Sequence, residues 1–286
     1  MGINLLNEKA VTFVPDGKTQ EIACDRTTIL CIAAHQDDTE IMAYNAIADC
    51  YDDPENWVTS VIVTDGAGSP RIGDYSEYTD EQMKSVRMEE QNKAAQIGKY
   101  SMQLQLCYES KEVKDENENN LIEDIKAIIK ACSPKMVFTH NLADKHDTHV
   151  AVALRTIKAI KELPKENRPK KIYGMEVWRS LDWLLDEDKS IFDASAYPKV
   201  ASDLLTVFDS QICGGKRYDL ATIGRRTANA TFFEAHDVDT IQSAIVGIDM
   251  TALIKDEQMS SKEFVANNID NFKDNVIGRI DRMGGE

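Results

Sequence analysis

Ile29-Leu30-Cys31-Ile32-Ala33-Ala34-His35-Gln36-Asp37-Asp38-Thr39-Glu40 is an apolar run that stops abruptly at a histidine and two adjacent carboxylates. Its length and composition predict a buried strand. Open α/β sheets place their chemistry in the loops at the carboxyl ends of parallel strands. A second passage repeats the pattern: Met136-Val137-Phe138 leads into His140-Asn141-Leu142-Ala143-Asp144-Lys145-His146-Asp147-Thr148-His149. Two strand ends that each carry metal-ligating side chains have the layout expected of a mononuclear metallohydrolase.

Working outward, further strands are expected at Val58 to Val63, Gln103 to Tyr108 and Lys171 to Trp178, with a short one from Val200 to Phe208. Helical spacing of apolar residues predicts helices over Ile41 to Tyr51, Asp80 to Gly98, Asn117 to Cys132, Val150 to Ile160, Tyr218 to Phe233 and Ser261 to Ile280. Alternating strands and helices argue for an α/β fold, a mostly parallel sheet covered by helices on both faces. Ala10 to Val14 and the turn at Pro15-Asp16-Gly17-Lys18 read as an edge hairpin or lead-in within residues 1–26. No repeat or linker divides the chain, so one domain is expected over 1–286, less regular from about 181 to 286.

The 286 residues are 42% hydrophobic and 29% charged, enough for a substantial core. With 49 acidic and 33 basic residues the net charge is −16. That balance disfavours nucleic acid and anionic membranes as partners. A small neutral or cationic substrate is easier to reconcile with it, and the oligomeric state is left open. The six cysteines are scattered without a CxxC pair and read as reduced and structural. No leader pattern or membrane-length apolar stretch is visible, so a cytoplasmic soluble protein is expected.

Zinc takes imidazole and carboxylate ligands, and a catalytic site keeps one position open. His35, Asp38 and His149 supply three such groups, although Fe2+ suits the same donors. Asp37 then sits beside the metal, placed to accept a proton from water, although it also reads as the cap of the following helix. Four of the chain's five histidines fall in the two clusters. His140 reads equally as a strand-end histidine bonded to backbone or as support behind the ligands.

These residues resemble the PIG-L-like (LmbE-like) family of zinc-dependent N-deacetylases, marked by an Ala-His-Pro-Asp-Asp-Glu type motif and a later His-x-Asp-His type motif. The chain reads Ala34-His35-Gln36-Asp37-Asp38-Thr39-Glu40 and His146-Asp147-Thr148-His149. Thr64-Asp65-Gly66, Arg87-x-x-Glu90 and Glu176-Val177-Trp178 extend the likeness, with a weaker echo at Arg225-Arg226-Thr227-Ala228. The resemblance implies a Rossmann-like layer sandwich, with zinc on His35, Asp38 and His149 and Asp37 as general base. It places His146 at the oxyanion or the leaving amine, and Arg87 on a substrate hydroxyl. The substrate it implies is an N-acylated, chiefly N-acetylated, amino sugar such as N-acetylglucosamine, or its conjugate.

Asp65, Glu109 and Trp178 are added as expected substrate contacts, with 69–79, 109–119 and 179–215 as the rim. Three departures stand out. Gln36 replaces the proline, which is expected to loosen the loop. Glu40 lies one place late. Thr148 stands where an aspartate is expected to orient the catalytic histidine, leaving Asp144 or Asp147 to orient His146. The alternatives are a metal-dependent ester or phosphate hydrolase, and a non-catalytic zinc-containing protein that binds carbohydrate or a partner.

Overall fold

A computed structural model describes residues 2–285. Eight strands form one sheet: β1 (Val11–Phe13), β2 (Ile29–Ala33), β3 (Val58–Thr64), β4 (Met102–Tyr108), β5 (Met136–His140), β6 (Lys171–Met175), β7 (Lys189–Asp193) and β8 (Ala244–Asp249). Their spatial order is β1-β4-β3-β2-β5-β6-β8-β7. The central five run parallel, while β1 and β8 pair antiparallel with their neighbours at either side. This is the mixed α/β architecture that the alternating pattern predicts.

Side chains alternate across a strand, so a strand buried on both faces feeds two cores. Leu30 and Ile32 of β2 enter one apolar cluster, with Val61, Leu104, Val137 and Ile125. Cys31 and Ala33 enter the other, with Ile47, Ile62, Ala94 and Phe138. The helix Asp80–Ile97 is fixed at its start by a capping box between Thr79 and Gln82, and Gly98 follows its last turn. That places Arg87 where its side chain can reach the end of β2.

Several expectations are corrected. Val200 to Phe208 is not a strand: Pro198 starts a helix, Pro198–Thr206, that buries Leu204 and Leu205. Pro at the first helical turn and apolar residues four apart outweigh the strand-like Leu-Leu-Thr-Val-Phe run. The expected helix from Ile41 to Tyr51 is broken at Ala43 into Asp38–Met42 and Tyr44–Cys50. Strands β7 and β8, which extend the sheet with antiparallel edges, have no counterpart in the sequence reading. Among the described residues, no helix is long and apolar enough to cross a membrane.

The lead-in is tied down by one buried carboxylate. Asp124 accepts hydrogen bonds from the backbone N–H groups of Leu6 and Asn7 and from the Tyr108 hydroxyl. Its side chain is fully buried, so its removal orphans three donors. Asp124→Ala is expected to lower unfolding stability by about 3 kcal/mol, read from the urea denaturation midpoint. A loss under about 0.5 kcal/mol would show that the strap contributes nothing.

Candidate metal centre and active site

The site grows from the ends of β2, β3 and β5. At the end of β3, Thr64 donates both its N–H and its hydroxyl to the Ala34 carbonyl. At the end of β5, His140 Nε2 accepts the Ala34 N–H at 2.9 Å. Ala34 is therefore held from both sides, and the chain turns immediately after it. His35 donates its N–H to Asp38 Oδ2 at 2.7 Å, closing that turn. Asp37, at φ 88°, is in the left-handed region, a conformation costing a non-glycine residue about 1–3 kcal/mol. Three contacts hold it there. Gln91 accepts its N–H, Arg87 donates to the Gln36 carbonyl, and an Arg87 nitrogen lies 3.3 Å from the Asp37 carboxylate.

Gln36 does not loosen the loop. It is 1% exposed and its amide donates to the Thr64 carbonyl and to Gln105, tying the turn to β3 and β4. Gly66, at φ +78°, sits against it. A Cβ there would meet Gln36 Oε1 at 2.9 Å and Arg87 Cβ at 3.0 Å. This is the tight glycine turn expected beside the site.

Three donor atoms converge at the centre. His35 Nδ1 lies 3.1 Å from His149 Nε2 and 3.3 Å from Asp38 Oδ2, and His149 Nε2 lies 3.4 Å from Asp38 Oδ2. Ligand atoms about 2.0–2.1 Å from a tetrahedral zinc stand about 3.3 Å apart, so these spacings match one face of such a shell. Two imidazole nitrogens and a carboxylate oxygen this close, at least two of them buried, are the donor set a divalent cation takes. His140 is not a fourth donor, because its Nε2 lone pair is used by Ala34. His146 lies within 4.8 Å of His35 and His149, on the open side.

The electrostatics follow the burial. Burial raises Asp38, but His149, His140 and His35 outweigh it and hold the carboxyl well below its usual range. Burial lowers His149, yet Asp38 and Asp144 prevail and keep its ring above the ordinary value. Burial, opposed by Arg87 and reinforced by Asp38 and Glu40, pushes Asp37 up to about 8. Burial, with His149 and His35, pushes His146 down to about 4, so its ring is neutral at pH 7.

Asp144 turns toward His149, not His146. Its Oδ2 lies 3.5 Å from His149 Nδ1 (aimed, though long for a hydrogen bond) and accepts the Trp178 N–H at 3.2 Å. It touches His146 only through the backbone N–H. Asp147 is exposed, and His146 Nδ1 has no hydrogen-bond partner. Neither carboxylate orients the His146 ring, whereas Asp144 is placed to orient the His149 ring.

A cavity of about 480 Å³ opens over these groups, and His35, Asp37, Asp38, His146, Asp65 and Trp178 line it. Asp65 is paired with Lys84 at 3.1 Å. The Trp178 ring carries the Lys216 and Lys145 ammonium groups 5.3 and 5.7 Å from its centroid. Arg87 also lines the cavity but is 2% exposed. Its two Nη nitrogens are committed to Gln36, Asp37, Glu90 and Ser210, while Nε has no partner, so its visible task is to hold the turn. Glu109 is not brought to the site: its side chain, 45% exposed, pairs with Lys111 at 2.8 Å. Ser110 and Lys114, one helical turn along, line the wall instead.

Sequence reasoning expected 179–215 at the rim, but not the contacts that fasten it or the part of the wall beyond residue 215. Glu90 accepts the N–H and hydroxyl of Ser210, both at 2.7 Å, which bolts the Arg87 helix to the segment after residue 198. Gln211, Tyr218 and Thr222 complete the rim from that segment. Glu176, 4% exposed, lines the cavity and accepts a bond from Asn229.

Two outcomes are expected. After dialysis against trace zinc, Asp38→Ala should retain under one-tenth of the wild-type metal, whereas Asp37→Asn should retain it in full. Equal retention by both would remove Asp38 from the ligand set. Burial also raises Glu176 above its ordinary 4.5. A folded pKa above the unfolded value means that stability is fully present below about pH 4.5 and is lost as pH rises through the folded value. The stability of Glu176→Gln relative to wild type should therefore grow from pH 4.5 to pH 8 in urea denaturation. A difference independent of pH would contradict the assignment.

The sequence model of the GlcNAc-PI de-N-acetylase (PIG-L) family matches residues 30–160. No curated protein matches the chain in sequence. Among solved structures, the N,N'-diacetylchitobiose deacetylase of Pyrococcus horikoshii aligns with TM-score 0.60 at 15% identity, covering 85% of this chain and 90% of that one. The 4-carboxy-2-hydroxymuconate hydratase GalB of Pseudomonas putida KT2440 gives 0.59 at 17%, covering 79% and 96%. The A40926 pseudoaglycone deacetylase Dbv21 gives 0.55 at 17%, covering 79% and 97%. At these identities the three structures establish the shared fold. The matched stretch, residues 30–160, holds both His/Asp clusters and the Arg87 helix, so this chain is similar to the PIG-L-like (LmbE-like) family across those elements.

Proposed function

We propose that the protein is a zinc-dependent N-deacetylase acting on an amino sugar or its conjugate. The observation that carries this reading is the ligand triangle of His35, Asp38 and His149 beside the Asp37 carboxylate, at the floor of a cavity of about 480 Å³. The match of residues 30–160 to the PIG-L family model and two deacetylases among the structural neighbours support it. Zinc held by those three residues would polarise the acyl carbonyl and acidify water at the open position.

Asp37 takes the proton from the attacking water. Arg87, 3.3 Å away, favours its charged form, and a dication in the triangle would act in the same direction against burial. The water oxygen adds to the carbonyl carbon. His146 stands on the cavity side and, as a neutral ring, offers an N–H to the developing oxyanion. The C–N bond then breaks, and the proton held by Asp37 passes to the leaving nitrogen. Acetate and a free amine result.

Both groups of side chains close enough to hold a metal among the described residues contain His149. They describe one centre, which argues against two-metal phosphoryl chemistry. The hydratase among the neighbours favours a second reading, in which the same base activates water for addition to a double bond. Fold alone does not choose between them.

Free-amine release from a panel of N-acetylated sugars separates the readings. Wild-type protein loaded with zinc should release amine, and Asp37→Asn should lower kcat at least 100-fold while keeping its zinc. Undiminished turnover by Asp37→Asn would remove it as the base. No amine release from any member would overturn the deacetylase reading.

A further inference from the structure

A second pocket lies far from the cavity, and its lining has the opposite sign to the chain. Lys158, Lys161, Lys165, Arg168, Lys170 and Lys171 stand in fourteen consecutive residues with only Glu162 and Glu166 against them, in a protein of net charge −16. The fold gathers part of this segment with the end of the helix Thr251–Lys255. Lys165, Arg168, Lys170 and Lys255 there line a pocket of about 250 Å³.

Cations near helix C-termini usually serve the last carbonyls. Here that task is already done. Lys161 Nζ reaches the carbonyls of Asp256, Glu257 and Met259 at 3.4, 3.2 and 3.3 Å. Arg168 donates to the carbonyls of Leu163, Lys161 and Ile254 and pairs with Glu257 at 2.7 Å. The ammonium groups of Lys165, Lys170 and Lys255 have no hydrogen bond or ion pair among the described residues. Lys170 and Lys255 are left without a partner, and Lys165 feels only the Glu257 carboxylate that Arg168 already engages, so the concavity keeps an excess of positive charge that an anion would relieve.

We propose that this pocket binds a phosphoryl group on a small soluble ligand, with Lys165, Lys170 and Lys255 as its contacts and the Arg168 bridge as its floor. Lysine serves phosphate as a compact point charge. The volume is below the roughly 300–1,000 Å³ of drug-sized sites, which selects a small ligand. The soluble source is favoured because the acidic body is repelled by an anionic bilayer.

The pocket is separate from the metal centre. Lys170 precedes β6, whereas the cavity lies past Met175 at its other end. Five residues at about 3.3 Å each put about 16 Å between them. The helix Asp147–Glu162 likewise runs toward the pocket, and from His149 to its end is about 20 Å at 1.5 Å per residue. A substrate seated on the ligand triangle does not span that distance through the core.

Titration calorimetry with inorganic phosphate tests the proposal on the zinc-loaded protein. Saturable binding with a dissociation constant under about 1 mM is expected. It should weaken at least tenfold in Lys170→Glu and in Lys255→Glu, each with an unchanged melting temperature, and remain in His35→Ala. Lys170→Gln serves where charge reversal impairs folding. Vesicles of phosphatidylcholine containing phosphatidylinositol 4-phosphate form the second arm. Failure to retain the protein supports the soluble source, and retention that Lys170→Glu abolishes moves the same site to a lipid headgroup. Absence of saturable phosphate binding, or binding lost in His35→Ala but kept in both lysine variants, would overturn the proposal.

Discussion

The site depends on the parallel pairing of β2 with β5. Ile29, Leu30 and Cys31 lie opposite Met136, Val137 and Phe138, so both chains leave the sheet at the same end. The crossing hydrogen bond from Ala34 to His140 then fixes the two departures relative to each other. From that register follow the spacings of 3.1 to 3.4 Å among His35, Asp38 and His149. A slip of one residue would turn the side chains of β2 to the opposite faces of the sheet. The apolar clusters on both sides make that slip expensive, so packing enforces the chemistry.

The second constraint is charge held in a dry place. Arg87, Glu90, Asp37 and Asp38 are each at most 7% exposed. Burying charges is unfavourable unless partners replace water, and removing one partner leaves the other stranded. Arg87 stands between Glu90 and Asp37, while Asp38 faces the imidazoles. Together they hold Asp37 in a backbone conformation that a free loop would abandon. Ser210 completes this set from outside the segment that the family model matches, which makes the less regular C-terminal part a support of the turn as well as a rim.

The central strands were legible because each is a short apolar run ending in punctuation, and the His-Asp-Asp and His-x-x-His clusters fell at two of those ends. His35, Asp38 and His149 meet as the sequence reading expects. The outer strands were not legible. Ala244–Asp249 follows a polar stretch with no turn signature, and Lys189–Asp193 is only partly buried. Glu109 illustrates a different limit: being at a strand end does not decide which way a side chain points once a helix starts at the next residue. The task of Arg87 was also hidden, because its partners Gln36 and Ser210 are distant in sequence and carry no motif. Asp144 was legible as a candidate orienter, but its partner is His149.

The central claim is that two imidazoles and one carboxylate of this chain hold a single divalent cation with a position left open. X-ray absorption at the zinc edge of the loaded protein tests it most directly. The account predicts a shell of nitrogen and oxygen at about 2.0–2.1 Å with multiple scattering from two histidines. A sulfur shell at about 2.3 Å, or a spectrum unchanged in His149→Ala, would contradict it.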